Sequence, residues 1–154
     1  MVCYAWTMDT PKPMAEQTYT PPHNLEAEQA VLGAIFVDPG CMVEVSLILK
    51  RPEVFWRVSH QHIYRAVQQL NAEAHEIDWV SVVEQIRKAG QLEACGGAEA
   101  LTAYLSDITH GVPSAYGAER YATIVRDRSL MREIALRAGD ARAMALDETR
   151  TPVD

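Results

Sequence analysis

A chain of 154 residues that is 48% hydrophobic can form one packed core without disulfide or metal staples. Fourteen basic against 21 acidic residues leave a net charge of −7, the wrong sign for a domain that must neutralise many phosphates, so protein partners are favoured over nucleic acid. No segment approaches the roughly 18 consecutive apolar residues of a membrane span, and no membrane partner is expected.

Residues 1–22 contain Pro11, Pro13, Pro21 and Pro22 without apolar periodicity and read as a disordered N-terminal tail. A helical head is expected over 23–112. Asn24 suits the N-cap of a first helix, with Glu26 and Glu28 near its positive end. Leu25, Leu32, Ile35 and Phe36 share a face up to about Val37, and Asp38-Pro39-Gly40 stops the helix. Glu28 lies close to that apolar stripe, where it reads either as a paired, buried carboxylate or, since Glu is rarely buried outright, as the favoured surface or capping residue. A second helix, from Cys41 to Leu49, is apolar on most sides and is predicted to be well buried. Pro52 breaks it, and a short turn at 53–56 is expected to drop the rings of Phe55 and Trp56 into the core.

Ser59 is placed to cap a third helix carrying Ile63, Tyr64, Val67 and Leu70 at helical spacing. Asp78 caps a fourth, in which Trp79, Val82, Val83 and Ile86 form one stripe, Arg87 and Lys88 fill the last turn and Gly90 ends it. Gly96-Gly97 opens a fifth helix with Leu101, Tyr104, Leu105 and Ile108 on its buried side, followed by a loop from Thr109 to Pro113. The region 113–154 is predicted to be a long helix followed by a polar tail. From Ser114 to about Leu146 there is no proline, and some thirty helical residues would span on the order of 45 Å, more than the head requires. Tyr121, Ala122 and Val125 make a stripe suited to docking on the head. Leu130, Met131, Ile134 and Leu136, with Ala138, Ala141 and Ala145, spread around the later turns, where a projecting helix cannot bury them alone. Another helix, expected outside this chain, should cover them. With no sustained strand-like alternation, the fold class is all-α: a compact multi-helix head followed by a long C-terminal helix.

In order and spacing, the segments PPHNLEAEQAVLGAIFVDP (21–39), VFWRVSHQHIYRAVQQL (54–70), EIDWVSVVEQIRKAGQLEACGGAEALTAYL (76–105) and GVPSAYGAERYATIVRDRSLMREI (111–134) resemble the N-terminal domain of bacterial replicative DNA helicases of the DnaB type. The resemblance covers about residues 21–140. It implies a helical head followed by a helical hairpin, with hairpins pairing between subunits to build a collar above a motor ring. It also implies docking of the primase C-terminal domain and, in some bacteria, of a helicase loader. The first hairpin helix maps onto the segment from Ala115 to about Leu146, and its mate would follow residue 154. The family's ATP- and Mg-dependent motor lies further along the polypeptide.

Catalytic chemistry is not expected here. None of the eight glycines is followed by lysine, so no GxxxxGK[ST] phosphate loop is present, and Gly96-Gly97 reads as a tight turn. His60 and His62 diverge by about 200° on a helix and lack further ligands at zinc spacing, which favours structural or surface roles. Cys3, Cys41 and Cys95 are odd in number and far apart, as in a reduced, cytoplasmic protein; the N-terminus also lacks the basic and apolar regions of a signal peptide. Neither cofactor nor metal is expected. Arg120, Arg126, Arg128, Arg132, Arg137 and Arg142 are the strongest candidates for nucleic-acid contact, chiefly Arg126, Arg128, Arg132 and Arg137, but interleaved acids better fit a solvated helix with internal ion pairs.

The expected function is therefore a non-enzymatic interaction domain of a helicase, contacting DNA only indirectly. Its self-association and partner face is placed at Tyr121, Val125, Leu130, Met131, Ile134 and Leu136. The alternatives are a stand-alone regulatory or decoy protein and a DNA-contacting helical module.

Overall fold

The computed structural model describes residues 20–147. Six helices and four short 3-10 turns make up its regular structure, with no β-strand among the described residues. Most of the expected tail and the residues after 147 lie outside this range.

Helix α1 (Leu25–Val37) begins where the Asn24 side chain accepts the Ala27 N–H at 2.9 Å. It is the axis of the head: Val31, Leu32, Ala34 and Ile35 are wholly buried, and α3, α5 and α6 pack around it. Asp38 ends it, and its carboxylate accepts the Gly40 N–H at the start of a 3-10 turn, Pro39–Cys41. The chain turns through 120° there into α2 (Met42–Ile48).

Helix α2 corrects the expectation of thorough burial. Met42 and Val45 enter the core, but Val43 and Leu47, four residues apart on the opposite side, are 70% and 71% exposed. A 3-10 turn, Pro52–Val54, follows and delivers Phe55 to the core, where its ring lies 5.0 Å from that of Tyr64. Trp56 does not follow it inward, but stays partly exposed between His23 and Arg132.

Helix α3 (Val58–Ala72) starts one residue before the expected cap Ser59, and Arg57 at its N-cap position makes no side-chain cap bond. The capping acceptor comes from α1 instead: the Glu28 carboxylate accepts the N–H groups of Trp56 and Arg57. Helix α4 (Trp79–Lys88) is capped by Asp78, which accepts the Ser81 N–H at 2.8 Å. Gly96 and Gly97, at φ 88° and 87°, make the left-handed turn into α5 (Ala98–His110).

Where α5 crosses α1, Gly33 is the point of contact. A Cβ there would stand 2.3 Å from the Ile108 carbonyl oxygen and 2.8 Å from Val112 Cγ2. After a 3-10 turn at Ala115–Gly117, α6 (Ala118–Ala145) runs 28 residues, about 42 Å at 1.5 Å per residue. Ala118, Ala122 and Val125 pack it on the head, and the residues beyond Arg132 extend past it, mostly exposed.

Candidate partner-docking face

Two polar constructions set the position of α6. The first is buried between α1, α3 and α5. Glu28 is 1% exposed and His60 wholly buried, with His60 Nδ1 2.7 Å from Glu28 Oε2 and His60 Nε2 2.6 Å from the Tyr104 hydroxyl. Every bond is satisfied when His60 donates from Nδ1 to the carboxylate and accepts the Tyr104 O–H at Nε2, while Gln29 donates to the Tyr104 oxygen at 3.1 Å. Glu28 is thus a buried, paired carboxylate rather than a surface one. The cluster offers no open position to a substrate, because no buried side-chain polar atom among the described residues lacks a partner. Its role is to fix the Phe55–Arg57 segment onto which α6 docks.

Arg132 is the second. Its guanidinium donates to the carbonyl oxygens of Pro22 (2.8 Å) and Val54 (2.6 Å) and lies over the Trp56 ring, 5.6 Å from its centre. His23 stacks on the same indole, with ring centres 5.3 Å apart. Burial lowers the Arg132 pKa, and the nearby Glu28 charge opposes that shift. Arg132 therefore fastens α6 to the start of the head, with its guanidinium engaged inside the chain.

Of the remaining arginines, Arg126 pairs with Asp127 at 2.8 Å and Arg137 with Glu133 at 3.1 Å, the internal pairing expected of a solvated helix. Arg128 is exposed.

The apolar candidates separate into two groups. Val125 belongs to the core, and Tyr121 lies at the head's edge with its ring against Gly117. Leu130, Met131, Ile134 and Leu136 are 50–66% exposed. They do not form one face. At about 100° per residue, Leu130 and Ile134 lie together, whereas Leu136 points about 200° from Ile134 and continues the line of Ala118, Ala122 and Val125 past the end of the head.

Burial raises the Cys41 thiol to about 11, with Asp38 and Glu44 adding to the shift, and burial also raises Cys95. Among the described residues no three His, Cys, Asp or Glu side chains converge as metal ligands, and no single helix is long and apolar enough to cross a membrane.

A family model described as the DnaB-like helicase N-terminal domain matches residues 20–127. The chain belongs to this family. A replicative DNA helicase DnaB of Geobacillus stearothermophilus is 41% identical over 114 residues, which are 74% of this chain and 24% of that protein. The replicative DNA helicase DnaC of Bacillus subtilis (strain 168) is 42% identical over the same shares. The crystal structure of the N-terminal domain of DnaB helicase from Mycobacterium tuberculosis superposes with a TM-score of 0.75 at 32% identity, covering 82% of this chain and 86% of that one. The match with these DnaB-type helicases thus spans about a quarter of their length. The family match ends at Asp127, so Leu130, Met131, Ile134 and Leu136 lie beyond it.

Sequence reasoning missed the exposed side of α2. Its signal was present: Met42, Val45 and Leu49 fall three and four apart, and so, on another side, do Val43 and Leu47.

Proposed function

We propose that this DnaB-type domain is a non-enzymatic interaction module of a cytoplasmic replicative DNA helicase. In this reading it assembles the helicase ring through α6 and helps to dock the primase C-terminal domain or a loader. ATP-driven unwinding belongs to the motor of the relatives' longer chains, and the domain binds no cofactor of its own. One observation carries the reading: Leu130, Met131 and Ile134 are exposed on sides of α6 that the head leaves uncovered. Large aliphatic side chains on a rigid helix gain free energy by pairing with another helix, at about 25 cal/mol per Å² of apolar surface removed from water.

Light scattering after size exclusion tests it, on the chain alone and mixed with a primase C-terminal domain. Ile134→Asp is expected to weaken self-association or the mixed complex by about tenfold or more, while circular dichroism shows the head unchanged. If Ile134→Asp associates as the wild type does, the face is misassigned. A DNA-contacting role is less well supported, because Arg126, Arg132 and Arg137 already have partners within the chain.

A further inference from the structure

A groove of 390 Å³ runs between α2 and α6; Leu130 lines it, whereas Ile134, about 40° further round α6, does not. Leu47, Ile48, Val54 and Leu130 supply its apolar floor. Its charged lining residues are Lys50, Arg51, Arg126 and Glu133, three basic to one acidic in a chain whose net charge is −7. Glu133 is held by Arg137 and Arg126 is shared with Asp127, whereas Lys50 and Arg51 make no ion pair among the described residues. The neighbouring Glu53 pairs with Arg65 at 2.9 Å.

We propose that this groove is a second docking site, which receives an acidic amphipathic helix of a protein partner. The apolar requirement follows from the floor. Leu47, about 70% exposed, and Leu130, half exposed, present aliphatic side chains from the two helices to anchors at three- and four-residue spacing on an incoming helix. The acidic requirement follows from the rim, since carboxylates flanking those anchors meet Lys50 and Arg51, the two basic lining residues that make no ion pair among the described residues. A nucleic-acid strand fits less well: the groove lining has no aromatic ring for bases to stack on, and its aliphatic side chains give a phosphate backbone nothing to bury. The site shares Leu130 with the face proposed for self-association but includes neither Met131 nor Ile134, so substitutions at Leu47 and at Ile134 separate the two.

The test uses a fluorescein-labelled amphipathic peptide of about 18 residues, roughly five turns, with leucines on one face and glutamates on its flanks. A second peptide carries lysine in place of glutamate. Fluorescence anisotropy on the full chain should show the glutamate peptide binding at least about tenfold more tightly than the lysine peptide. Leu47→Asp should remove that binding, the double variant Lys50→Glu, Arg51→Glu should reverse the preference, and Ile134→Asp should leave it unchanged. Leu47 is exposed enough that its variant should fold, as circular dichroism would verify.

Equal affinity for both peptides, or unaltered binding by Leu47→Asp, would overturn the proposal. So would displacement of the glutamate peptide by oligothymidylate, which makes the groove a nucleic-acid site. A fall in the wild-type oligomer's mass on Leu47→Asp would equally overturn it, because the occupant would then be a second copy of this chain.

Discussion

Glu28 performs two tasks with one carboxylate, capping α3 from another helix and orienting His60 within the core. Glu28→Gln retains the shape but presents an N–H group where one of these donors needs an acceptor. The expected loss is about 1–3 kcal/mol, read as a lower midpoint in urea with an unchanged slope. An unchanged midpoint would mean that the carboxylate's charge and second acceptor oxygen are unimportant. The position of Glu28 beside an apolar stripe was visible in the sequence, but its burial was not. The partners that make burial tolerable lie 32 residues away at His60 and beyond that at Tyr104, and no local pattern connects them. Trp56 escaped for a related reason. An aromatic ring next to Phe55 looks like core until Arg132, 76 positions later, supplies a cation for it to face.

The helices show which signals are local. Asn24, Asp78, Gly90 and the Gly96-Gly97 pair act within a few residues of themselves, so the ends of α1, α4 and α5 were legible in advance. Burial of α2 was not, because apolar composition does not tell which side a neighbouring helix will cover. Gly33 is the clearest nonlocal case. In the sequence it is only a weak helix former, yet in the fold it lets α5 approach the backbone of α1. Gly33→Ala should therefore destabilise by about 1–3 kcal/mol through overpacking, although alanine is the better helix former. Thermal unfolding would measure this, and a variant as stable as the wild type would show that the crossing can open without cost.

At the scale of the whole molecule, the junction of head and α6 rests on Arg132. Arg132→Ala leaves the Pro22 and Val54 carbonyl oxygens without their donor and should cost about 1.5–3 kcal/mol. Hydrogen exchange should then quicken about tenfold or more in α6 beyond Val125, with α3 little changed. Equal acceleration in both helices would mean that Arg132 supports the head as a unit. The all-α class, the long last helix and its solvated ion pairs were all readable from proline placement and charge spacing. Which arginine turns inward was not, because Arg132 differs from Arg128 only in what surrounds it.

The roughly 200° between Ile134 and Leu136 gives the projecting part of α6 a valence of two. One neighbouring helix can dry one flank and must leave the other wet. If a helix of the same polypeptide takes the first flank, the second still requires a contact from elsewhere.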